Sequence, residues 1–323
     1  MAPDLHILAT CTDRKRLHVP NRLRLRTVPA GDMASRAQFW WQRLEDDAGQ
    51  AVPAEDLYAG GHWAAIRKLP VMAGEQGLQS KSWVISAGYG LVPAEAYIRP
   101  YSATFSSSHL DSVTRRITKH LPRKTILQTW WKTMCAMRSV RLAKPHSLAN
   151  LVRKTPKATF IIIASPDYLL AMEKDIFSSL HSLTDPNQLI IISSPSEILS
   201  QPLLDHIVPS VAQLQSMVGG ALGSLHARVA LMIIQNAQKW DLRADTLRIK
   251  LKKLAASSPP LRKYDRQRLS DLEVGKFVRQ ALKRTQHPSC SALLQELREG
   301  GRACEQKRFT ELYWAVKESK HAS

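Results

Sequence analysis

Four short apolar runs punctuate the chain, and each empties into a polar loop. LHILAT (Leu5–Thr10) leads into CTDRKR, WVIS (Trp83–Ser86) into AGYGLVPAEAYIRPY, ATFIIIA (Ala158–Ala164) into SPDYLLAM, and LIIIS (Leu189–Ser193) into another Ser-Pro pair. Runs of this length that do not alternate with polar residues read as strands covered on both faces. Helical patterns lie between them, at Ser35 to Leu44 and after Pro53, where Glu55 and Asp56 mark a helix start. Ser165 stands where an N-cap belongs, with Pro166 at the first helical position. The alternation predicts an α/β fold, a mostly parallel sheet with flanking helices, whose post-strand loops converge on one sheet edge. None of those loops carries a Gly-rich dinucleotide fingerprint or a P-loop.

The pattern then divides the chain. An α/β domain is expected over residues 1–220, interrupted at about 112–157 by a helical insertion, and a helical region over 221–323, with Ser257 to Pro260 as a linker. Near the end, Ser289 is placed to cap a helix that reaches a Gly300-Gly301 turn and then a second helix. This spacing fits a helix-turn-helix presenting Arg302, Gln306, Lys307 and Arg308 to DNA, or a plain packing hairpin.

Charge sharpens the picture. The chain has 46 Lys and Arg against 27 Asp and Glu, a net +19, an excess suited to a polyanionic partner. From Arg115 to Lys157 there are twelve basic residues and no carboxylate, beginning with Arg115, Arg116, Lys119, Arg123 and Lys124. Solvated faces usually mix signs, so this segment is expected to grip phosphates. Trp130 and Trp131 lie inside it, either as stacking groups or as core. The apolar runs are far shorter than a membrane span of ~20 residues. The first residues lack a basic leader, and Cys11, Cys135, Cys290 and Cys304 form no CxxC pair. A cytoplasmic, metal-free and cofactor-free protein is expected, with double-stranded DNA as partner.

The motifs CTDRKR, PAEDLYAGGHW, WVISAGYGLVPAEAYIRPYSATF, IIIASPDYLLAM and GGALGSLHARVA, in that order, resemble the YaaA-like superfamily, named for a bacterial peroxide-stress protein. The matching positions are Ser86, Tyr89, Gly90, Pro100 and Tyr101, then Ser165, Asp167 and Tyr168. The likeness covers about the first two-thirds of the chain. In the first loop Asp13 precedes Arg14 and Lys15, where many relatives have a cysteine-lysine or proline-lysine signature. The resemblance implies DNA binding and nucleobase handling, of the type found in anti-phage DNA glycosylases acting on modified phage DNA.

On that footing one base is flipped from the duplex into a neutral pocket walled by Tyr58, Trp63, Tyr89 and Tyr101, with Ser86, Ser165 and Tyr168 at its edge; the alternative is that Tyr89 and Tyr101 brace the loop through buried hydroxyl bonds. Breaking the N-glycosidic bond leaves a cationic sugar and an anionic base, so a carboxylate and a donor are needed. Asp167 is the first choice of carboxylate and Asp13 the second; each has a structural alternative, as a helix cap and as a partner of Arg14 or Arg16. Lys15 serves the leaving base or a phosphate, or attacks the sugar as an amine. His62 and His109 are proton shuttles or structural residues. The expected activity is a hydrolase leaving an abasic site; the alternatives are a non-catalytic DNA-protecting protein and a nucleoside deoxyribosyltransferase-like enzyme.

Overall fold

Strand β1 (Leu5–Thr10) is buried at all six positions, as a mainly apolar run requires. It pairs in parallel with β2 (Ser80–Ser86), Leu5 opposite Ser80, and with β4 (Thr159–Ile163), Leu5 opposite Thr159. Parallel strands β5 (Leu189–Ser193) and β6 (Ile207–Pro209) extend the sheet on one side. On the other, β3 (Gly90–Pro93) folds back antiparallel on β2 through a hairpin that turns at Gly90, where φ is +76°. The order is β3-β2-β1-β4-β5-β6. This computed structural model describes residues 5–137, 146–259, 265–284 and 288–321, and of Lys307 and residues 319–321 only the backbone. Arg138, Arg141 and Lys144 of the basic segment lie outside the described residues.

Helices cover the sheet in two groups. Helix α1 (Met33–Asp46), whose first turn donates from Ala34 and Ser35 to the Asp32 carboxylate, packs on α4 (Arg123–Ala136), and α4 on α6 (Pro166–Leu180), which also meets α5 (Leu148–Lys154). Helix α7 (Leu225–Gln235) packs on β4 and β5 together with α2 (Gly61–Ile66) and α3 (Leu69–Glu75), and α8 (Ala244–Ser257) lies against β6. No single described helix is long and apolar enough to cross a membrane.

Two boundaries differ from the sequence reading. The chain divides into Met1–Pro259 and Pro260–Ser323, not near residue 220, because Val229, Ile233, Ile234, Leu247 and Leu251 of α7 and α8 belong to the core beneath the sheet. The 112–157 segment is likewise no appended module. Its helix α4 buries Ile126, Leu127, Trp130, Trp131 and Met134 in that same core, so neither tryptophan is free to stack on nucleic acid.

The second unit has its own apolar center of Val274, Phe277, Val278, Leu293, Leu297, Phe309 and Tyr313. Helices α9 (Asp271–Arg284), α10 (Cys290–Glu299) and α11 (Gln306–His321) supply it. Ser289 caps α10 by accepting from the Ala292 N–H, and the chain turns at Gly301, with φ +71°. A two-residue ladder, Gln267–Arg268 with Arg302–Ala303, stands between that turn and α11. The expected two helices are thus present, joined by a strand and packed on a third.

Candidate active site

In chain order the parallel strands are arranged 2-1-3-4-5, so the chain reverses direction across the sheet between β1 and β4. In open α/β sheets the crevice outside the carboxyl ends at such a reversal is where ligands bind. Cys11 follows β1 directly, Ser86 ends β2, and Ser165 follows β4 by one residue. The motif loops therefore meet at this edge.

The loop after β2 is fixed from all sides. Ser86 Oγ accepts from the Gly88 and Tyr89 N–H groups at 3.1 and 2.9 Å, while the indoles of Trp130 and Trp40 donate to the Ala87 and Gly88 carbonyls at 2.7 and 3.0 Å. With both Ser86 lone pairs engaged, its hydrogen goes to Tyr101 Oη, 2.6 Å away, and Tyr101 shares a 2.9 Å bond with Tyr58 Oη. Trp63 stacks on Tyr58 and donates to the Thr10 carbonyl, and Tyr89 meets Tyr101 edge to face. Gly88 is obligatory here, since a Cβ would lie 2.5 Å from the Tyr101 ring.

This overturns the open pocket walled by tyrosine. Tyr58 and Tyr101 are 0% exposed, and Trp63, Ser86, Tyr89 and Tyr168 are also buried. Burial pushes the Tyr58, Tyr101 and Tyr168 hydroxyls well up, so they stay protonated hydrogen-bonding groups. The tyrosines form the floor of the site.

What stands on that floor is Lys15. Its Nζ lies 4.9 Å from the Tyr101 ring center and 5.8 Å from that of Tyr58, and donates to the Thr12 carbonyl at 2.8 Å. Burial lowers its pKa, against the opposing pull of Cys11, Asp13 and Asp111. Cys11 shares a 3.1 Å hydrogen bond with Tyr168, which ties the start of α6 to the end of β1, and Phe105 packs edge-on against Tyr168.

Two carboxylates, Asp111 and Asp13, act on the amine's charge, and a third, Asp167, stands at the start of α6. Asp111 is fully buried and takes two guanidinium bonds and a backbone N–H from Arg26, plus the Ser102 hydroxyl. Burial alone would raise it, but these donors hold it below the usual carboxylate range. Asp13 is exposed and lies 3.4 Å from His109 Nε2 rather than pairing with Arg14 or Arg16; Arg16 instead faces Asp56. His109 Nδ1 accepts the Asp111 N–H, which puts the imidazole proton on Nε2, toward Asp13. Asp167, part-buried in the first turn of α6, accepts from Arg123 at 2.7 Å through Oδ1. Ser165 occupies the N-cap position but its hydroxyl makes no capping bond, and it stays partly exposed.

The expected DNA-binding residues separate into two sets. Arg115, Arg116 and Lys119 are exposed. Arg123 and Lys124 are engaged instead with Asp167 and Glu173. In the second unit Gln306 is exposed, Arg302 lies over the Phe277 ring at 4.9 Å, and Arg308 pairs with Asp271; the Lys307 side chain lies outside the described residues. His62 is held near 4 by burial and by nearby His226, itself near 4 by burial; His62 Nε2 and His226 Nδ1 have no hydrogen-bond partner. Among the described residues no group of three or more His, Cys, Asp or Glu is placed to hold a metal ion.

Sequence reasoning missed Asp111 and its clamp by Arg26. The signal was available, since Asp111 is the only Asp or Glu between Glu95 and Asp167. A lone acid in so cationic a stretch has many possible partners. No protein-family model, curated protein or solved structure matches the chain.

Proposed function

We propose that the protein is a DNA glycosylase of YaaA-like type, which draws one base, a phage modification by preference, out of a duplex and cleaves its glycosidic bond to leave an abasic site. The observation that carries this reading is a desolvated amine, Lys15, at the sheet's reversal point, with Asp13 beside it and Asp167 on the facing loop. A charged amine donates to a departing base, and a carboxylate held in one orientation stabilizes a sugar cation. Because the tyrosines are covered, the base stands against the partly exposed rim formed by Thr12 to Lys15 and Ser165 to Asp167. Arg115, Arg116 and Lys119 hold the flanking phosphates, and the second unit adds a helix-turn-helix contact through Gln306 at the start of α11.

The test is incubation of the purified chain with ordinary and hypermodified phage DNA, followed by alkaline cleavage at abasic sites. Asp167→Asn should abolish cleavage and keep DNA affinity. Binding without abasic sites on every DNA ends the enzyme reading. The closed tyrosine cluster favors a second reading, a DNA-protecting protein in which the sheet edge is scaffold; in that case Asp167→Asn changes neither binding nor protection.

A further inference from the structure

Lys15 is poorly placed to be merely a phosphate contact. A phosphate-binding lysine extends into solvent with its ammonium hydrated, whereas this side chain folds back so that Nζ lies over two tyrosine rings and donates to one backbone carbonyl. Among the described residues Lys15 makes no ion pair with a carboxylate, although Asp13 and Asp111 are near enough to act on its charge. The rings below it are immobile, locked through Ser86, Tyr101 and Tyr58. Desolvation, a fixed position over aromatic faces and a single hydrogen bond are what a nucleophilic amine needs.

We infer that Lys15 attacks C1′ of the target sugar, giving the protein a DNA lyase activity that cuts the strand after the base has gone. This rests on the glycosylase reading for its substrate, but the lyase step needs only an abasic site. On an intact nucleotide the Nζ lone pair bonds to C1′ as the C1′–N bond breaks, its electron pair leaving on the base nitrogen, which takes the proton released from Nζ. O4′ then leaves C1′ taking a proton from solvent water, and an iminium links Lys15 to the opened sugar. On a preformed abasic aldehyde the same iminium forms with loss of water. Removal of a C2′ proton breaks the C3′–O bond and expels the 3′-flanking strand with a 5′-phosphate, and water then hydrolyses the iminium to restore the amine. Tyr168, Tyr58 and Tyr101 stay protonated through this sequence and serve as its fixed floor.

Lysine burial supports the assignment independently of the fold position. Burial lowers the Lys15 pKa, toward the neutral, nucleophilic form. The contact with the tyrosine faces would favor the cation, so desolvation outweighs it.

The experiment uses the full chain, a duplex oligonucleotide carrying one preformed abasic site, and sodium borohydride, which reduces an iminium to a stable amine. The expected result is a covalent protein–DNA adduct that peptide mapping places on Lys15. Lys15→Arg, which keeps the charge, and Lys15→Gln should both reduce the adduct to background while far-UV circular dichroism and salt-dependent DNA binding stay as in the wild type. No adduct, or an adduct mapped to another lysine, overturns the inference. Base release from modified DNA without trapping also overturns it and leaves the glycosylase reading standing. Trapping at Lys15 without base release from any DNA supports the lyase and overturns the glycosylase.

Discussion

Acid should loosen the fold through its buried histidines, and His6 on β1 gives the clearest test. His6 is buried on β1, stacks on Phe160 at 4.8 Å, accepts from the Trp83 indole at Nδ1 and faces Thr155 Oγ1 through Nε2, both at 3.0 Å. Burial, aided by Lys81, lowers its pKa from 6.5 to about 4. The geometry agrees, since a proton on Nδ1 would confront the Trp83 N–H. With the folded value below the unfolded one, the contribution is intact above pH 6.5 and is lost as pH falls toward 4. At pH 5 the unfolded chain binds nearly one proton more, which removes about 2 kcal/mol. Urea unfolding of the wild type and of His6→Asn, whose amide oxygen still accepts from Trp83, should be followed at pH 7 and pH 5. The variant loses stability at both values through packing, but its drop between them should be smaller by about 2 kcal/mol. The comparison is needed because His62 and His226, lowered by burial, act in the same sense, while Glu55 and Asp175, raised by burial, act in the opposite one. Equal drops in the two proteins, or an imidazole resonance of His6 titrating near its ordinary value, would refute the reasoning.

Gly88→Ala should cost about 1–3 kcal/mol in thermal unfolding, because its methyl meets the Tyr101 ring and that ring has nowhere to move. Trp130→Phe strips the Ala87 carbonyl of its donor and should cost about 1–3 kcal/mol, read from the denaturant midpoint. Replacing Arg115, Arg116 and Lys119 with Ala should lower the slope of log binding constant against log salt by about 2–3 while leaving the Lys15 borohydride adduct detectable at low salt. An unchanged slope would remove these three residues from the DNA interface.

Much of the sheet was legible in the sequence because buried parallel strands announce themselves as apolar runs, unbroken at Phe160–Ile163 and Leu189–Ile192 and interrupted by His6 in Leu5–Thr10. The antiparallel β3 was hidden, since Gly90, Pro93 and the aromatics around them read as a loop, and only the hairpin geometry shows the pairing. Strand β6 was hidden too, being three residues long and ending in Pro209 at the sheet's edge. The parallel strand direction, legible in the sequence, brings the loops after β1, β2 and β4 to one edge, where Cys11 bonds Tyr168. Burial of Tyr89 and Tyr101 was one of two open readings, and the motif alone could not decide it because the indoles packed against them, Trp41 and Trp40, come from a distant helix, α1. Nor were the ion pairs of Arg123 and Arg308, which join residues far apart in sequence.

The two indoles and the serine that hold residues 86–89 leave the Ala87 and Gly88 carbonyls and the Gly88 and Tyr89 amides already spoken for. An incoming molecule therefore finds no main-chain cradle at this turn, unlike a phosphate on a glycine-rich loop. On the reading proposed above, contacts to a substrate fall to side chains of residues 12–15 and 165–167, and the turn serves as their fixed support.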